Sequence, residues 1–210
     1  AECYPGALEL VGHDVSVDEI MQEILRDKPY YESMGGLTLS GGEPMRQIDF
    51  TEALLQMAKA GSLHCCVDTC GHAEYARFDR IRKLVDLFLF DYKETDPELH
   101  ERFTGVDNTL ILENLERLHD SGANILLRCP IIPGYNDRPD HFEGIAALAR
   151  RLPRLAGVEL MPYHPLGDCK IERFGLDTAA RAQARPPSHD EVQSWIVFLK
   201  NNGAPVINEG

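Results

Sequence analysis

Apolar residues recur along this chain at two alternating periods. Ile20, Met21, Ile24 and Leu25 stand at helical spacing behind Ser16-Val17-Asp18-Glu19, which has the form of a capping box. Leu37 to Leu39 reads as a short strand. Phe50, Leu54, Leu55 and Met57 mark a helix that stops near Gly61. A strand over Leu63–Val67 and a helix around Tyr75–Leu84 follow. Val85–Phe90 is almost wholly apolar, the sign of a strand buried on both faces. The spacing predicts a helix over Asn108–His119 that ends at Gly122, then a strand over Ile125–Cys129 closed by Pro130. His141–Arg151 reads as a helix, Val158–Met161 as a strand, Glu191–Lys200 as a helix and Pro205–Asn208 as a last strand. This alternation predicts an α/β fold with a parallel sheet or barrel. Gly167–Ser188 is polar, bears Arg and Pro, and reads as a mobile loop.

The 210 residues carry a net charge of −13, which argues against a nucleic-acid partner. A hydrophobic content of 43% is that of a globular chain, and no apolar run is long enough to span a bilayer. The opening Ala1-Glu2-Cys3-Tyr4-Pro5 does not have the pattern of a signal peptide. Six cysteines stand at positions 3, 65, 66, 70, 129 and 169, with no regular framework. Neighbours on a strand point to opposite faces, so Cys65, Cys66 and Cys70 do not converge easily on a metal. Reduced thiols in a cytoplasmic protein are the better reading.

In parallel α/β folds the ligand site lies at the carboxyl ends of the strands, and unusual residues gather there. One strand runs into Ser40-Gly41-Gly42-Glu43-Pro44. Others end in Val67-Asp68-Thr69-Cys70-Gly71, Asp91-Tyr92-Lys93, Arg128-Cys129-Pro130 and Met161-Pro162-Tyr163-His164. Strand alternation puts Leu87, Leu89, Asp91 and Lys93 on one face. Each residue alone has an ordinary explanation: a turn cap, a rim ion pair, a loop histidine. Five such ends together predict a binding mouth. Lys93 and Arg128 suit a carboxylate, Glu43 and the glycine backbone an ammonium, and His164 a sugar or purine.

As a set, these segments resemble the radical S-adenosylmethionine (SAM) superfamily, specifically the activating enzymes of glycyl radical enzymes such as the pyruvate formate-lyase activating group. The resemblance also draws on Ile131-Ile132-Pro133-Gly134 and Tyr163-His164-Pro165-Leu166-Gly167. It implies a partial (β/α)6 barrel, missing its first strand, over residues 13–210. It implies SAM as cofactor beside a 4Fe–4S cluster, and a 5′-deoxyadenosyl radical that takes a hydrogen from a glycine of a partner enzyme. By matching motifs, Gly41, Gly42 and Glu43 would hold the methionine amino group. Asp68, Asp91, Tyr92 and Lys93 would line the SAM pocket, Arg128 would face the carboxylate and His164 the nucleoside. Asp68, Thr69 and Asp91 would hold a monovalent cation. The implied partners are a glycyl radical enzyme and an electron donor such as flavodoxin or ferredoxin, in an anaerobic cytoplasm.

The 210 residues depart from that family in two respects: they contain no C-x3-C-x2-C loop to ligate the cluster, and the family's first strand, which precedes that loop, is absent too. Residues 1–12, with Cys3 before Pro5-Gly6-Ala7-Leu8, resemble the end of a ferredoxin-like insert, which implies Cys3 as a ligand of an auxiliary 4Fe–4S cluster. The expectation is thus the SAM-binding portion of an activating enzyme, inactive by itself. Two alternatives stand beside it: an aldolase-type barrel forming a Schiff base at Lys93, and a barrel that binds a partner without catalysis.

Overall fold

Five strands pair in the order in which they occur along the chain, and every pairing is parallel. The structure is a computed structural model and describes residues 12–31, 35–165 and 184–208. Its elements are α1 (Val17–Asp27), β1 (Gly36–Leu39), α2 (Ile48–Ala60), β2 (His64–Thr69), α3 (Tyr75–Ile81) and β3 (Leu87–Asp91). They continue with α4 (Pro97–Thr104), α5 (Thr109–Asp120), β4 (Ile125–Ile131), α6 (Pro139–Arg151), β5 (Gly157–Pro162) and α7 (His189–Asn201). Sequential parallel strands need crossovers of one hand, which carries the connecting helices to one side of the sheet. This is the α/β arrangement of an open, partial barrel.

The side-chain alternation follows. On one face Cys65, Val67, Phe88, Phe90, Ile125, Leu127, Cys129, Val158 and Leu160 are buried. Each such apolar side chain contributes about 1.5–3 kcal/mol through its removal from water. Cys66, Asp68, Leu87, Leu89, Asp91, Leu126, Arg128 and Glu159 stand on the other face, half-buried. Val85–Phe90 therefore differs from expectation. Phe88 and Phe90 are buried, but Leu87 and Leu89 are covered only in part, because among the described residues that face is open.

Local chemistry accounts for most element ends. Ser16 Oγ accepts from Glu19 N and Glu19 Oε2 accepts from Ser16 N, the capping box read from the sequence. Ser188 and Glu191 repeat it at α7. Strand β4 runs through Pro130 rather than ending there, pairing Pro130 with Met161. Pro130 lies beyond Asp91↔Arg128, the last register pair with β3, where a missing N–H costs least. The expected last strand reduces to a single bridge, Val158↔Val206. Helix α4 was not expected, because it is largely polar and buries only His100. Its punctuation was nonetheless present: Asp96 accepts from Glu98 N and Leu99 N, Pro97 opens the first turn, and Gly105 ends it at φ +89°.

Strand β1 pairs only with β2 among the described residues, so Leu37–Leu39 is an open edge there. Cys3, residues 1–11 and most of the 167–188 loop lie outside the described residues.

Candidate functional site

Glu43 is the hinge of the site. Gly41, at φ +113°, adopts a conformation that glycine takes without strain, and it turns the chain out of β1. Glu43 then caps the 3-10 turn Pro44–Gln47, its Oε1 accepting from Met45 N at 3.1 Å. The same carboxylate reaches the end of β2. Oε1 accepts from Thr69 Oγ1 at 2.8 Å, and Oε2 accepts from Cys70 N at 2.9 Å. Gly71 follows at φ +75°, where an added Cβ would overlap the Phe90 ring. These contacts lock the ends of β1 and β2 together.

A cleft of about 540 Å³ opens beside this lock, lined by Glu43, Arg46, Cys70, His72, Asp91 and Lys93, with His100 and Thr104 of α4 among the residues of its far wall. A second cavity of about 600 Å³ holds Gly41, Gly42, Glu43 and Arg46. Glu43, Asp91 and Lys93, predicted from two different strand ends, thus meet at one mouth. Asp91 Oδ2 lies 3.4 Å from Lys93 Nζ. Burial pushes the Asp91 carboxyl above its ordinary range, and Lys93 opposes that shift. Burial likewise pushes the Cys70 thiol up, helped by the neighbouring Glu43. Cys70 is therefore no activated thiolate.

Asn136 holds the mouth from below. It is 4% exposed. Its Nδ2 donates to Lys93 O at 2.9 Å and to Pro130 O at 2.7 Å, and its Oδ1 accepts from Ile132 N at 2.7 Å. One amide thus ties the ends of β3 and β4 together. The next residue, Glu94, is fully buried and accepts from Thr95 N, Asp96 N and the Arg138 guanidinium. Lys93 stands on backbone fixed from both sides.

Other predicted residues sit elsewhere. The Tyr92 ring lies on the opposite face from Asp91 and Lys93, stacked on His141 with centroids 5.9 Å apart, its hydroxyl donating to Thr95 Oγ1 at 3.1 Å. It does not line the cleft, because strand alternation turns it into the core. The Tyr92 hydroxyl pKa is pushed up to about 12 by that burial. Arg128 is also away from both cavities. Its Nη1 donates to Asp68 Oδ2 at 2.9 Å, and its Nε lies 3.3 Å from Glu159 Oε2 without a hydrogen bond. Register causes this, since Asp91, Arg128 and Glu159 are partners across β3, β4 and β5. Asp68 also accepts from Ser40 Oγ at 3.2 Å. Of the residues expected to hold a monovalent cation, Asp68 accepts from Arg128 and Thr69 donates its hydroxyl to Glu43 Oε1. His164 is exposed and lines neither cavity. Arg46, His72, His100 and Thr104 were missed. The punctuation of α4 could have found the last two; nothing in the local pattern marks Arg46.

Among the described residues, no three His, Cys, Asp or Glu side chains converge as metal ligands. Cys65 and Cys129 are buried, with thiols pushed up by desolvation, while Cys66 lies on the other face of β2 from Cys65. The described residues do not fit an iron–sulfur cluster. A zwitterionic ligand fits better: the mouth carries both charge signs, and its volume lies within the usual range of small-molecule sites.

The family model for the Radical SAM superfamily matches residues 3–149. The trans-4-hydroxy-L-proline dehydratase activating enzyme of Clostridioides difficile is 40% identical over 93% of this chain, and the chain spans 66% of that relative's length, just under two thirds. A pyruvate formate-lyase-activating enzyme of Staphylococcus epidermidis is 34% identical over 90% of this chain and 78% of its own length. Among solved structures, a domain of pyruvate-formate lyase-activating enzyme from Bacteroides vulgatus superposes with a TM-score of 0.69 at 27% identity, covering 83% of this chain and 99% of that domain.

Proposed function

The chain belongs to the radical SAM superfamily and, within it, to the glycyl-radical-enzyme activating enzymes, and on that premise we propose that its cleft binds SAM for the activation of a glycyl radical partner enzyme. The observation that carries this reading is the meeting of Glu43, Asp91 and Lys93 in one cleft at the carboxyl ends of the strands. When bound and reduced, SAM supplies a 5′-deoxyadenosyl radical able to remove a hydrogen from a glycine Cα.

This chain's residues bind and orient. Glu43 accepts three hydrogen bonds from the protein, and a carboxylate has about four lone-pair sites. Among the described residues Oε2 accepts one backbone hydrogen bond, from Cys70 N, so the carboxylate keeps capacity for a ligand ammonium. Asp91 adds a second carboxylate whose burial a docking cation offsets. Lys93, held in place through Asn136, offers an ammonium to a ligand carboxylate. The fixed geometry costs little reorganisation on binding. An iron–sulfur cluster would draw its ligands from outside the described residues.

The reading extends to a flavodoxin- or ferredoxin-like electron donor and to partners of the kind named by the relatives' activities. The test is anaerobic incubation of the protein in its complete natural form with SAM, a reductant and a panel of glycyl radical enzymes, read by electron paramagnetic resonance. A glycyl radical signal on one partner is the expected result. SAM binding with no radical on any of them would remove the activating role.

A further inference from the structure

We propose that Arg46 is a specificity-determining residue that meets the carboxylate of the bound ligand, a role the sequence reading had given to Arg128. The inference rests on the SAM-binding reading of the same cleft. Arg46, like Glu43, lines both the Gly41-Gly42 cavity and the Asp91–Lys93 cleft, so a ligand held by Glu43 and Lys93 lies in the same mouth as Arg46. It is exposed, and among the described residues its side chain has no hydrogen-bond or ion-pair partner; only its backbone N–H is engaged, by Glu43 O at 3.0 Å.

Arg46 lies in the 3-10 turn Pro44–Gln47, two residues before the first residue of α2, so an anion that meets it also approaches the positive end of that helix. An anion seated there gains from both the guanidinium and the helix end. Supply and demand at the mouth point the same way. Glu43 and Asp91 provide negative charge for the ligand's ammonium and sulfonium, while Lys93 already shares its charge with Asp91 at 3.4 Å. Arg128 is tied to Asp68 and Glu159 and lies outside both cavities. Among the described residues of the mouth, Arg46 is a cation with no side-chain partner that can join Lys93 at the carboxylate, and a guanidinium binds a carboxylate by two parallel hydrogen bonds.

Calorimetric titration of the complete protein tests this with two ligands, SAM and decarboxylated SAM, which keeps the ammonium and sulfonium. Arg46→Ala should weaken SAM about tenfold, in the range of one charge-assisted hydrogen bond, and leave the decarboxylated ligand unchanged. Arg46→Lys should recover part of the loss. Unchanged melting temperatures exclude a folding effect, as the side chain is exposed. Equal weakening of both ligands overturns the proposal, because Arg46 would then act on the site without reading the carboxylate. Unaltered SAM affinity, including the case in which only the response to a partner protein falls, overturns it as well and leaves the SAM-binding reading standing. Failure of the parent protein to bind SAM overturns both.

Discussion

Asn136→Ala should loosen the mouth and lower stability together. The side chain is 4% exposed and makes three hydrogen bonds of 2.7 to 2.9 Å, to Lys93 O, Pro130 O and Ile132 N. Each bond contributes about 0.5–1.5 kcal/mol net, so the loss is roughly 1.5–4.5 kcal/mol, before any penalty for groups left without a partner. A chain of this size shifts its melting temperature by about 2–4 °C per kcal/mol. Urea unfolding followed by circular dichroism gives the free energy directly. Asn136→Asp keeps the acceptor for Ile132 N but sets a carboxylate against two carbonyl oxygens. It should be worse than alanine at pH 7 and improve towards pH 4. The sign follows from linkage: the introduced carboxyl has a raised folded pKa, so its penalty is absent when protonated and grows as pH rises from the unfolded value through the folded one. A loss below about 1 kcal/mol for Asn136→Ala, or an aspartate variant indifferent to pH, would refute the bracing role.

Lys93→Ala should weaken SAM binding by roughly one to two decades, as expected for one charge-assisted contact worth about 1.5–3 kcal/mol; calorimetry with the fold intact decides it. Tyr92→Phe should leave SAM affinity unchanged, since the ring faces His141 and the hydroxyl only donates to Thr95; a loss of affinity would return Tyr92 to the cleft. His141 is buried, and desolvation pulls its pKa down to about 4, against the opposing pull of Glu94. Its folded value lies below the unfolded one, so the stability it contributes is complete above about pH 6.5 and is lost as pH falls towards 4. Thermal melts of the parent and His141→Phe across that window should show a shallower decline in the variant.

Local pattern alone established much of this protein. The capping box at Ser16 is written in four residues, and hydrogen bonds between near neighbours realise it. Strand alternation placed Asp91 and Lys93 on one face, and the same parity, applied to the residue between them, puts Tyr92 in the core. Parallel topology gathered Glu43, Asp91 and Lys93 at one mouth from segments about 50 residues apart. Choice of partner was decided only in three dimensions. Arg128 reads as a free cation until register brings Glu159 beside it on β5 and Asp68 within 2.9 Å from β2. Asn136 reads as a loop residue until Lys93 and Pro130 present their carbonyls to it. Arg46 and the α4 wall join the cleft through packing that no periodicity records. Periodicity carries which face a side chain takes, because that depends on its own backbone. Register and packing between distant segments select what the side chain meets there, and those depend on the whole fold.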